Sequence, residues 1–285
     1  MSDIISYLFK TNAVRFCPEN KPFWYTSGKI GPYFINTHFV YGDEEQASTL
    51  LSFIDESLTD KQTLPKKIFQ KTIEHYNTNQ IYKDVIDSMI SAIKENIDIS
   101  EIDYISGGER RDWFFSNVIA NLLNKPHITI YKDLSTIITD SNFENIIDTK
   151  DLTGKKVLHI ADLITIASSY VKMWIPVIES LNAKIKWSCV VVDRMQGGEK
   201  TLAEKNVKSI SLVKVDKDLF KKAEELNIIN NSQVEMLNNF FDNPDQTMRN
   251  FLIEHPEFIE NSLNDENEKT RKRAKSLVEQ NLYNL

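Results

Sequence analysis

At 285 residues the chain has room for one large domain, or one domain with an appendage. Its apolar fraction of 41% and charged fraction of 26% fit a soluble globular protein with a sizeable core, and its net charge of −7 excludes nucleic acid as a default partner, because an acidic chain gains nothing from a phosphate backbone. Two distant cysteines (Cys17 and Cys189), no Cys/His zinc spacing, no apolar run of about 18 residues and no signal-peptide pattern in "MSDIISYLFKTNAVRF" together predict a cytoplasmic protein without a disulfide framework or a membrane span.

Taken in order, residues 1–42 open with a short amphipathic helix. They end in "FWYTSGKIGPYFINTHFVYG", where Gly28, Gly31, Pro32 and Gly42 break an aromatic-rich segment into strands and turns. Residues 43–100 read as helical. "EEQASTLLSFIDESL" and "QIYKDVIDSMISAIKENI" carry apolar residues at spacings of three and four.

Residues 101–218 alternate strand and helix: strand "DYISG", helix "DWFFSNVIANLLN", strands "HITIY" and "KKVLHIAD", helix "SYVKMWIPVIESL", strand "KIKWSCVVVD", a short helix near "EKTLAEK", and strand "SISLVKV". Such alternation predicts a parallel sheet flanked by helices. The β-branched run "CVVV" predicts a strand buried on both faces. Residues 219–285 are helical again, punctuated by Pro244 and Pro256, and "EKTRKRAKSLVEQNL" reads as a solvated, charged amphipathic end.

The stretch "KKVLHIADLITIASSYV" carries the first chemistry. In an open α/β sheet, ligands sit beyond the carboxyl ends of the strands. Asp162 lies at such an end, and Thr165, Ser168 and Ser169 follow in a turn whose amides and helix dipole attract an anion. Ala167 keeps that turn small, and a carboxylate at Asp162 can accept from two sugar hydroxyls. Read alone, a serine that merely caps the helix is the commoner case. Glu109, Arg110, Arg111 and Asp112 form four consecutive charges at another strand-to-helix turn. They read either as a surface ion network or as a diphosphate-binding group on the ligand-facing edge. His127 and His159 fall within strands and read as core histidines, and Gly197 and Gly198 as a turn.

"VLHIADLITIAS" followed by "WSCVVVDRMQGGEKTL", with "FWYTSGKIGPYFIN" before them, resembles the type I phosphoribosyltransferases, and orotate phosphoribosyltransferase most of all. "YISGGERRDWFFSNVIANLLNKPHITIYKD" sits where that family has its diphosphate-contacting turn and the strand that opens onto a mobile catalytic loop. The resemblance spans residues 1–42 and 101–218. It implies an α/β phosphoribosyltransferase-like parallel sheet flanked by helices, with an N-terminal hood covering the base (1–42), a helical insertion (43–100), the α/β core (101–218) and a C-terminal helical extension (219–285).

It further implies transfer of ribose 5-phosphate from phosphoribosyl diphosphate to a base, orotate as the first guess, with Mg2+ carried on the diphosphate, and a homodimer. By matching position, Asp162 would bind the ribose hydroxyls, and Thr165, Ala167, Ser168 and Ser169 would cradle the 5′-phosphate. Arg194 would pair with an acidic base, Phe34 would cover the base, and Lys29 belongs to the same segment. Arg111, with Arg110 beside it, falls at a diphosphate-binding lysine, and Lys132 at the lysine that starts the catalytic loop.

The departures are equally specific. Ala161 replaces the first of two acids, Thr26 a base-contacting lysine, Gly31 the serine before Pro32, and Asp112 a glycine. Ser135 and Ile137 stand where the catalytic loop has a later lysine and a histidine. These losses bear on turnover more than on binding, since charge that neutralises a departing diphosphate is worth several kcal/mol. They leave open a second reading, a regulatory or partner-binding protein that holds a nucleotide or phosphoribosyl diphosphate without transferring it.

Overall fold

A computed structural model describes residues 3–285. In chain order the elements are α1 (Ile4–Lys10), β1 (Val14–Phe16), β2 (Phe23–Trp24), β3 (Ile30–Gly31), β4 (Tyr33–Ile35), α2 (Glu44–Ser57), α3 (Leu64–Thr78), α4 (Gln80–Asn96), β5 (Tyr104–Gly108) and α5 (Trp113–Leu122). There follow β6 (His127–Ile130), β7 (Thr136–Thr139), β8 (Lys156–Ile164), a π-helical turn (Tyr170–Trp174) running into α6 (Ile175–Ser180), β9 (Lys184–Asp193), α7 (Gly198–Glu204) and β10 (Lys208–Lys214). Five helices close the chain: α8 (Lys217–Glu225), α9 (Asn231–Asp242), α10 (Pro244–Glu254), α11 (Glu257–Leu263) and α12 (Glu268–Glu279).

The chain divides into two compact units. The first holds the chain up to Ala13 and Thr37–Val215, and is built on a six-stranded sheet of order β10-β9-β8-β5-β6-β7. All neighbours pair in parallel except β7, which returns antiparallel along β6. The α/β sheet flanked by helices that the alternation predicts is therefore present. Strand β9 lies inside the sheet, and Cys189, Val190, Val191 and Val192 are completely buried, as "CVVV" requires.

The helices have local causes. Asp43 accepts from the Gln46 amide to cap α2, Asn79 accepts from Tyr82 N–H to cap α4, and Pro65 sits in the first turn of α3. The apolar stripe of α4 (Tyr82, Val85, Ile86, Met89, Ile93) is fully buried. Helix α4 packs against β9 and β10, and α3 against α5.

The order of the strands fixes where a ligand can sit. From β5 the chain steps to β6 on one side, then returns to β8 on the other. The carboxyl ends of β5 and β8 thus lead their following turns apart, which opens a crevice between them.

The second unit holds Val14–Asn36 and Asp216–Leu285. Its two small antiparallel pairs, β1 with β4 and β2 with β3, pack with the C-terminal helices. Tyr33 meets Phe220 and Phe240 at ring-centroid distances of 6.2 and 5.7 Å, and Trp24 stacks on Phe258 at 5.5 Å. Tyr283 Oη accepts from Ile30 N–H at 3.0 Å. A capping box formed by Asn230 and Gln233 starts α9, and the Gln233 side chain also donates to the Cys17 carbonyl at 2.8 Å.

Candidate active site

A cavity of about 300 Å³ opens at the β5–β8 crevice. One wall is the turn after β5 (Glu109, Arg110, Arg111, Asp112), with Lys132 from the turn after β6. The other is the end of β8 and the segment after it, from Ala161 to Tyr170, with Trp174.

The β8 wall is a compact loop. Ala167 takes a left-handed backbone, φ +58°, and Val171 N–H donates to its carbonyl at 3.1 Å, which starts the following helix. Ser169 precedes the π turn without capping it, so its hydroxyl is not tied to that helix end. Thr165, Ser168 and Ser169 all line the cavity, close to the first amides of the helix. From behind, the "QGG" segment supports the loop. Gly197 has φ +93° and caps α7, and Gly198 lies so close that a Cβ there would stand 2.6 Å from the Thr165 carbonyl oxygen.

Asp162 is only 7% exposed. Its Oδ1 accepts from Leu163 N–H at 2.8 Å, while Oδ2 has no hydrogen-bond partner among the described residues. Burial first, and then the Asp112 carboxylate, push its pKa up to about 7, against the pull of the Arg111 guanidinium. Asp112 is 8% exposed and belongs to no surface network. One of its oxygens accepts from Gly108 N–H at 3.0 Å, the other from Asp162 N–H at 3.2 Å, so it ties the ends of β5 and β8 together. His159 Nε2 stands 3.5 Å from Asp112 Oδ2, and its Nδ1 bonds Ser106 Oγ at 2.9 Å.

The cationic wall is held differently at each residue. Arg110 pairs with Asp55 of α2. The Lys132 amide donates to Glu109 at 2.9 Å, which leaves its exposed side chain at the cavity mouth. The turn from Tyr131 to Ser135 is tight: Leu134 N–H donates to the Tyr131 carbonyl, and Tyr131 N–H to that of Ser135, both at 2.9 Å. Lys61 grips this turn from the helical segment, pairing with Asp133 and donating to Ser135 Oγ at 2.9 Å. Helices α2–α3 and their connection thus position two edges of the site.

Of the residues singled out in the sequence, Arg110, Arg111, Lys132, Asp162, Thr165, Ala167, Ser168 and Ser169 surround one cavity. Arg194 follows β9, its amide donating to the Ile164 carbonyl at 3.0 Å, and it does not line the cavity. Lys29 and Phe34 belong to the second unit. There Lys29 Nζ donates to Asp245 at 2.7 and 2.9 Å, and the Phe34 ring meets Phe23 edge-on at 6.1 Å. His127 is a satisfied core histidine, with Thr129 and Ser116 hydroxyls at 3.0 Å on its two nitrogens and burial lowering its pKa to about 3. Sequence reasoning did not assign Asp112, Tyr170 and Trp174 to the site. The four-charge turn signalled Asp112, but only its burial shows which way it faces.

No protein-family model matches the chain. Among curated proteins, the orotate phosphoribosyltransferase of Sulfurisphaera tokodaii is 32% identical over 139 residues, which cover 49% of this chain and 66% of that protein, just under two thirds of its length. Among solved structures, Leishmania donovani UMP synthase superposes with a TM-score of 0.57 at 18% identity, over 84% of this chain and 41% of that one. Francisella tularensis orotate phosphoribosyltransferase gives 0.54 at 16% identity, over 84% and 97%. That of Aeropyrum pernix gives 0.51 at 18%, over 78% and 99%.

At such identities the structural likeness is one of fold, and that fold, a mostly parallel six-stranded sheet flanked by helices, is phosphoribosyltransferase-like. In sequence, about half of the chain is similar to an orotate phosphoribosyltransferase. Among the described residues, no helix is long and apolar enough to cross a membrane.

Proposed function

We propose that the chain transfers ribose 5-phosphate from phosphoribosyl diphosphate to a ring nitrogen of a base, releasing diphosphate. The observation that carries this reading is the division of the cavity into two walls. A small loop with three hydroxyls and a buried acid faces a wall made of Arg110 and Arg111 from one turn and Lys132 from another. A phosphorylated ribose fits the first wall, its phosphate on the loop and its hydroxyls at Asp162. A leaving diphosphate fits the second.

Substitution at an oxocarbenium-like carbon needs little covalent chemistry from the protein. It needs the partners held in line and the departing charge neutralised, here by Arg111 and Lys132, with Arg110 steadied by Asp55. Magnesium would enter as the counter-ion of the diphosphate, part of the substrate, as suits an ion that keeps waters and binds chiefly through phosphates.

Orotate is the base we assign first. The names of the relatives support it. The named relatives are transferases, which supports turnover over a purely binding role. We also assign a homodimer, by resemblance. The test is to mix the protein with magnesium, phosphoribosyl diphosphate and orotate, and to follow orotate absorbance together with diphosphate release. Magnesium-dependent loss of orotate, matched by diphosphate, is expected. No turnover with orotate removes that assignment, and none with a panel of other bases removes the transferase reading. Light scattering at two protein concentrations checks the dimer.

A further inference from the structure

The Asp112 side chain has no role in the proposed reaction, yet it is one of two buried carboxylates at the same cavity. It comes from the turn before α5, whereas Asp162 comes from the end of β8. The Asp162 amide donates to Asp112 at 3.2 Å and the Leu163 amide to Asp162 at 2.8 Å, so both carboxylates are tied to the backbone at the end of β8. Each Asp112 oxygen accepts one backbone N–H and keeps a further lone-pair direction. Asp162 Oδ2 accepts nothing from the described residues although the side chain is more than nine-tenths buried. A buried carboxylate oxygen without a donor is costly and calls for one from a ligand. Ala161, where a second acid would follow the strand, offers none, and its side chain packs among Ile164, Ala167, Tyr170 and Trp174.

We infer that Asp112 and Asp162 together form a receptor for a vicinal diol, with Asp112 supplying from the β5 side the second carboxylate that position 161 does not provide. The ligand class is the 2,3-diol of a ribose that carries a phosphate on the Thr165–Ser169 loop. This inference rests on the sugar-phosphate reading of the cavity and adds to it a specific acid and a dependence on pH. The other groups around Asp162 are Arg111 on the same turn as Asp112, Glu109 and Lys132 at the mouth, His159 behind Asp112, and Tyr170 on the following helix. Burial and the Asp112 charge hold Asp162 protonated up to about pH 7. A neutral carboxyl donates one bond and accepts poorly, while the ionised one accepts from both hydroxyls. Diol capture therefore strengthens as pH rises through neutrality.

The experiment is calorimetric, on the full chain, with inorganic phosphate, ribose 5-phosphate and 2-deoxyribose 5-phosphate from pH 5.5 to 8.5. The deoxy sugar carries the same phosphate and cancels its titration. The wild type is expected to prefer ribose 5-phosphate by about tenfold at pH 8, and by less below pH 6.5. Asp112→Asn, which keeps one acceptor for the backbone amides, should lose most of that preference while binding inorganic phosphate unchanged. It should also move the midpoint of any residual preference to lower pH, because the neighbouring negative charge is gone. That shift reports the lost charge; loss of the diol preference with phosphate binding kept is the readout that a merely structural Asp112 would not produce. Retention of the full preference by a folded Asp112→Asn overturns the inference. If that variant does not fold, the wild-type profile decides, and a preference flat with pH overturns it equally. Wild type that binds phosphate without preferring the diol refutes the acid pair alone. Wild type that binds neither phosphate nor either sugar refutes the reading of the cavity and this inference with it.

Discussion

Replacing Gly198 by alanine tests whether the "QGG" segment builds the phosphate loop or merely turns the chain. The new methyl would lie 2.6 Å from the Thr165 carbonyl oxygen and 2.6 Å from Ile164 Cγ1, whereas ordinary contact begins at 3.4 Å. The carbonyl is backbone and cannot swing aside, so the loop or the start of α7 must give way by about 0.8 Å. Overpacking of this kind costs about 1–3 kcal/mol. Alanine's better helix propensity returns at most about 1 kcal/mol, since Gly198 stands at the first position of α7. The net expectation is a loss of about 1–2 kcal/mol in urea denaturation. A second effect should accompany it. A loop displaced by most of an ångström no longer presents its amides and hydroxyls together, and affinity for inorganic phosphate should fall about tenfold by calorimetry. A Gly198→Ala protein as stable as the wild type, with phosphate binding unchanged, would refute the claim that this segment shapes the loop.

Three further outcomes are expected. Asp162→Asn should stabilise the fold increasingly with pH: the folded acid titrates near pH 7 and the unfolded one near 3.8, so ionisation costs stability through that window, and the melting-temperature gain should be small at pH 4 and larger at pH 8. Ala167→Gly should change stability by less than about 0.5 kcal/mol in urea, because relief of the left-handed strain at φ +58° is offset by the lost buried methyl and by the entropy that glycine adds to the unfolded chain. Arg111→Ala should weaken phosphoribosyl diphosphate at least tenfold while weakening ribose 5-phosphate far less, since the guanidinium lies on the diphosphate wall; equal losses for both ligands by calorimetry would remove that assignment.

Helix periodicity in "QIYKDVIDSMISAIKENI", strand–helix alternation after residue 101 and the apolar run "CVVV" determined by themselves that a parallel, helix-flanked sheet would form. They did so because side-chain burial on a helix stripe or a two-faced strand leaves a local pattern. The phosphate loop was legible for the same reason: an acid, hydroxyls and small residues are contiguous from Asp162 to Ser169. Tertiary structure alone decided what depends on elements far apart in the chain. It joined Val14–Asn36 to the C-terminal helices, through rings such as Tyr33, Phe220 and Phe240 whose pairing no local pattern encodes. It gave Lys61 and Asp55 of the helical segment the task of holding the cationic turns. It also turned Asp112 inward. Four consecutive charges look the same in sequence whether they face water or a buried carboxylate. Only the strand order, which sets the end of β5 beside that of β8, brings Asp112 within reach of the Asp162 amide and makes the two acids feel each other.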